Sequence, residues 1–104
     1  MRAAISEPLQ AYLRQRGSTV LTITLKPIRG SGSTVFEVVV DPHAPKHPDR
    51  YASFVQDDLC LYSSPQLGRR SELLELDYVR TLFRSKPVMT GPEDLVASVL
   101  MGHL

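Results

Sequence analysis

Hydrophobic and polar positions alternate along this chain with two distinct periods. Leu9, Tyr12, Leu13 and Arg16 fall at i, i+3, i+4 and i+7, one stripe of a short helix. Ser6 supplies an N-cap hydroxyl, Glu7 sits at the positive end, and Gly17 suits a left-handed stop. Before it, residues 2–5 read as an initial strand. After it the period drops to two: Leu21, Ile23 and Leu25 alternate with Thr22 and Thr24 until Pro27, which removes a ladder donor. Phe36, Val38 and Val40 share one face of a β-branched run over residues 34–40, with Glu37 on the wetter side.

Pro42, Pro45 and Pro48 make residues 41–50 an ordered, semi-extended loop. Residues 51–55 and 59–62 read as a hairpin joined by Gln56, Asp57 and Asp58, and Ser64-Pro65 as the opening of one helical turn. Leu74, Leu76 and Tyr78 alternate with Glu75 and Asp77 as another half-buried strand, and residues 83–89 return to the sheet before Gly91-Pro92 breaks it. Pro92 at a first helical position, with Glu93 and Asp94 in the first turn, opens a terminal helix carrying Leu95, Val96, Val99 and Leu100. These elements predict a single mainly-β α+β domain over residues 1–104. An N-terminal helix and a short C-terminal helix flank a twisted, mostly antiparallel mixed sheet or flattened barrel. The expected core is Ile5, Leu9, Leu13, Leu21, Ile23, Leu25, Phe36, Val38, Val40, Leu61, Leu76 and Phe83.

Composition narrows the chemistry. A formal charge of +1 argues against a nucleic-acid or anionic-membrane partner, and no apolar run nears the roughly 20 residues of a membrane span. No signal-peptide pattern opens the sequence, and a single cysteine points to a cytoplasmic protein without a disulfide framework. One Cys and three His are too few for an ordinary zinc or iron–sulfur site within one subunit.

Several phrases, in order, resemble the HesB-like, A-type iron–sulfur carrier family. They are Ile5-Ser6-Glu7-Pro8 entering a helix, the Gly-rich turn before Phe36, residues 59–67, and residues 74–79 followed by Phe83 and Pro92. The chain is also similar to a small HesB-like branch with a Gly-Cys-Cys-Gly turn, in which a stretch like Ala44-Pro45, Pro48 and Arg50-Tyr51 precedes the hairpin. The resemblance implies a HesB-like fold. It also implies that the carriers' cluster-ligand positions are occupied here by Ser31, Ser98 and Leu100. No cysteine lies between Gly91 and Leu104, and a serine hydroxyl does not replace a thiolate toward a soft metal.

Cys60, within an apolar strand, reads as a structural thiol. His43 and His47 have an H-x3-H spacing, but the intervening prolines forbid the helix that would align them, so no metal site is assigned. Ser64 or Ser31 with His43 and Asp41 forms a nucleophile set on paper, yet in no recognised elbow, and no catalytic residue is assigned. Asp57-Asp58 reads as a solvent-facing turn pair and Arg69-Arg70 as part of a solvated face; His103 belongs to the tail.

The expectation is a non-enzymatic binding or accessory protein with no cofactor, acting through a protein partner or self-association. Its contact surface is the stripe Leu95, Val99 and Leu100, packed on its own sheet or on a second subunit. The alternatives are an iron–sulfur assembly protein whose ligands a partner completes, and a small anion-binding module at Arg29, Gly30, Ser31, Gly32 and Ser33.

Overall fold

The computed structural model describes residues 1–29 and 34–102. Strand β1 (Arg2–Ile5) leads into α1 (Glu7–Arg16), then β2 (Val20–Arg29), β3 (Thr34–Asp41), β4 (Ala52–Gln56) and β5 (Leu59–Ser63). Helix α2 (Pro65–Arg70) connects these to β6 (Leu73–Arg80), β7 (Ser85–Gly91) and α3 (Glu93–Met101). The strands form two open sheets, ordered β1-β6-β7 and β3-β2-β5-β4, rather than one sheet or a barrel. Two joints are parallel, β1 with β6 and β2 with β5; the other three pairings are antiparallel. The architecture is α+β and mainly β, with a helix near each end.

The core lies where the two sheets and the helices meet. Leu9 from α1, Leu21 and Ile23 from β2, Leu61 from β5, Leu67 from α2 and Leu74 from β6 are all fully buried. Helix α1 forms as its cap chemistry dictates. The Leu9 N–H donates to Ser6 Oγ at 3.3 Å, and Gly17 closes the helix at φ 64°, where only a residue without a Cβ is unstrained. The same Ser6 hydroxyl donates to Asp77 Oδ1 at 2.5 Å, and the Ser6 N–H donates to Leu76 O at 3.0 Å, so the β1–α1 joint is tied to β6. Tyr12 stacks on Tyr78 with ring centroids 4.4 Å apart, covering the rest of that joint.

Several expectations are corrected. Phe83 is 90% exposed: residues 81–84 are a turn, with the Arg84 N–H bonded to Thr81 Oγ1 at 2.9 Å, so β7 starts only at Ser85 and Phe83 projects from the tip. Ile5, Leu25, Phe36 and Val38 pack against the core half-buried, while Ala3, Leu67, Leu74, Leu95 and Val99 join it. β2 runs through Pro27 to Arg29. Its pairing with β5 stops at Ile23, so beyond that point one edge of β2 is open and a missing N–H leaves no second strand unpaired. The β4–β5 turn has two residues, not three. Asp57 and Asp58 both take positive φ, as a type I′ turn requires, and Gln56 stays in β4 opposite Leu59. The Gln56 side chain then bridges the sheets, accepting from Ala3 N at 3.0 Å and donating to Ala3 O at 2.6 Å. Pro92 is the N-cap of α3, one residue before the first helical position.

Leu61 is fully buried between both sheets, and truncation leaves a cavity that this small core cannot close. Leu61→Ala is expected to lower the unfolding free energy by about 2–5 kcal/mol, read from the urea midpoint. Asp77 gives a second test. Its hydrogen bonds with the Ser6 hydroxyl and the Tyr78 N–H hold its carboxyl below the ordinary value of 3.8. Folding therefore favours the ionised form, and this contribution is complete above the unfolded-state value and lost as pH falls through the lowered folded one. Thermal midpoints measured from neutral pH to about pH 2 should fall in acid, and less steeply in Asp77→Asn. Identical acid slopes in the two proteins would contradict the assignment.

Candidate functional site

A cleft of about 710 Å³ lies on the face of β2 opposite the core. The alternation of β2 makes it: Leu21 and Ile23 turn inward, and Thr22 and Thr24 turn toward the proline-rich segment, residues 41–51. Hydroxyls pin that segment at three points. Ser18 Oγ donates to Pro42 O at 2.8 Å, Thr22 Oγ1 donates to His43 O at 2.5 Å, and the hydroxyls of Thr24 and Tyr51 lie 3.0 Å apart. A 3-10 turn over Pro48–Arg50 returns the segment to β4. The opposite wall is Ser64 and one side of α2, from Pro65 to Arg69, with Ser64 Oγ accepting from the Leu25 N–H at 2.9 Å.

The cleft gathers residues that sequence reasoning treats separately. His43 and His47 both line it, as do Asp41 and Ser64. Among the described residues no hydrogen bond joins Ser64 to His43 or His43 to Asp41, so the nucleophile set stays unassembled. Lys46, Arg50, Tyr51 and Arg69 also line the cleft. Sequence reasoning left Arg69 on a solvated face because nothing local shows that α2 stands across from the proline-rich segment.

Of the positions that the resemblance pairs with cluster ligands, two are described. Ser98, on α3, donates its hydroxyl to Asp94 O at 3.0 Å and accepts from Arg70 at 3.4 Å, and Leu100 carries no donor atom. Ser31 lies outside the described residues, as do Gly30, Gly32 and Ser33, the main part of the expected anion site with Arg29; His103 lies outside them as well. Leu95 and Val99 are 3% and 4% exposed in the chain's own core, so of the terminal stripe only Leu100, at 69%, is open. Among the described residues no group of three or more His, Cys, Asp or Glu is arranged to hold a metal ion. Cys60 is half-buried rather than enclosed. It shares the outer face of β5 with Tyr62, whose phenol is pushed up from its ordinary value chiefly by the neighbouring Cys60 thiol. No helix among the described residues is long and apolar enough to cross a membrane.

Solved structures of similar fold include two iron–sulfur proteins. Escherichia coli SufA, a protein involved in biosynthesis of iron–sulfur clusters, matches with a TM-score of 0.53 at 14% identity, covering 88% of this chain and 81% of its own. IscA, solved with a [2Fe-2S] cluster, matches with a TM-score of 0.53 at 11% identity, covering 86% and 82%. At such identity the likeness establishes a shared HesB-like fold. No curated protein matches the sequence. Residues 1–91 match the CC/Se motif containing family, although the chain has no adjacent cysteine pair, its only thiol being Cys60. By that match over most of its length, the chain belongs to the CC/Se motif family.

Proposed function

We propose that this chain is a non-enzymatic binding or accessory protein that uses the HesB-like scaffold without holding an iron–sulfur cluster on cysteines of its own. The observation that carries the reading is the thiol count: one cysteine, Cys60, set within a strand, with Ser98 and Leu100 where the resemblance puts cluster ligands. A hydroxyl already spent on a helix carbonyl and an aliphatic side chain do not replace the thiolates that hold an iron–sulfur cluster. A protein partner or a second copy is part of this reading. Leu100 and Met101 at the end of α3, and Leu82 and Phe83 at the β6–β7 turn, are exposed apolar side chains suited to such contacts. The single-cysteine composition supports a cytoplasmic setting.

The similarity to SufA and IscA favours a second reading, a role in cluster assembly with ligands completed by a partner. Anaerobic incubation with ferrous iron, sulfide and reductant separates the two. The isolated chain should emerge without the visible absorbance of a thiolate-held cluster and without stoichiometric sulfide, and Cys60→Ser should behave identically. A stable cluster on the isolated chain would reject the first reading. One that forms only with a cysteine-bearing HesB-like carrier present would favour the second.

A further inference from the structure

We infer that the cleft on the outer face of β2 is a binding site for a small phosphorylated organic molecule, with Arg50 and Arg69 as its principal phosphate-binding residues. The inference does not depend on whether the chain takes part in cluster assembly.

Charge points there first. Lys46, Arg50 and Arg69 line the cleft with Asp41 as its sole carboxylate, in a chain whose whole formal charge is only +1. No hydrogen bond or ion pair engages these three cations among the described residues, so their donors remain available. Two are guanidinium forks, which match phosphate oxygens in pairs, and such charge-assisted bonds are the strong ones.

The unspent donors agree. Ser64 is 8% exposed; its Oγ accepts from the Leu25 N–H, and none of the hydrogen bonds described uses its own proton. In the Thr24–Tyr51 pair one hydroxyl donates to the other, which leaves one proton for the cleft. The two sides of the cleft thus offer donors from β2, from the proline-rich segment, from Ser64 and from the last turn of α2, against one acceptor carboxylate. A phosphate monoester has three terminal oxygens and close to two charges near neutral pH, and it uses more of these donors than a carboxylate with two oxygens.

Size gives the rest of the ligand. About 710 Å³ lies within the roughly 300–1,000 Å³ range of small-molecule sites, far more than one phosphate fills. Ala44, Pro45 and Pro65 supply apolar surface beside the cations for a carbon skeleton.

Calorimetric titration of the intact chain with ribose 5-phosphate, ribose, inorganic phosphate and citrate tests the assignment. Ribose 5-phosphate should bind more tightly than inorganic phosphate, ribose should not bind, and raising the salt should weaken the interaction. Arg50→Gln and Arg69→Gln, both at exposed side chains, should each weaken binding by at least about tenfold while leaving the thermal midpoint of the free protein unchanged. Arg29→Gln should bind like the unaltered chain. Failure of both phosphates to bind at millimolar concentration would overturn the proposal. So would equal binding by the Arg50 and Arg69 variants, citrate binding as tightly as ribose 5-phosphate, or loss of binding in Arg29→Gln alone.

Discussion

The two-residue period of β2 is the constraint on which the rest of the domain depends. Leu21 and Ile23 are fully buried on one face, where they meet Leu61 and the second sheet. On the other face Thr22 and Thr24 hold the proline-rich segment through their hydroxyls. A slip of one residue would exchange the faces, putting hydroxyls into the core and leucines under the cleft. The parallel register of Val20 to Ile23 against Cys60 to Ser63 resists that slip, because it joins parts of the chain some 40 residues apart in sequence. It also brings Ser64, and the α2 that follows it, to the β2 edge.

The fold shared with its structural neighbours does not by itself supply a thiol set: this chain carries one cysteine, Cys60. Two open sheets with helices at both ends can be built from leucine, valine and threonine alone, and 14% identity suffices for a shared architecture because patterning and volume decide it. Cluster binding has no such tolerance. It needs thiolates at a few positions, and a Ser98 that closes a hydrogen bond within its own helix belongs to the helix. The terminal stripe shows the same division, since Leu95 and Val99 are spent on the chain's own core and only the end of α3 is left for other contacts.

What was legible in the sequence follows the range of the forces concerned. Helix α1 was readable with its cap and stop because Ser6, the apolar stripe and Gly17 act over a few residues. The faces of β2 and β3 were readable for the same reason. Phe83 was misplaced because an aromatic after an alternating run looks like a strand, whereas the Thr81–Arg84 turn ends the ladder just where it lies. The split into two sheets was not legible, since it rests on which strands pair across long separations. The cleft was half legible: His43, Asp41 and Ser64 stood out as polar chemistry, but Arg69 joins them only through the β2–β5 pairing.

That pairing explains why the cleft has a fixed shape although one wall is a long connection. Segments of this length without regular structure ordinarily lose much of a ligand's binding energy to ordering. Here the ordering is accomplished on folding. The prolines restrict φ at three positions, and three hydroxyl contacts hold Pro42, His43 and Tyr51 against residues whose own places are fixed by the core. Thr22, at 4% exposure, is the central pin, and its buried hydroxyl bonds a loop carbonyl rather than another strand. Valine there would keep a β-branched residue in the strand but leave the His43 carbonyl without its donor, so the wall would loosen. The sheet therefore stabilises the fold through one face of β2 and the shape of the cleft through the other.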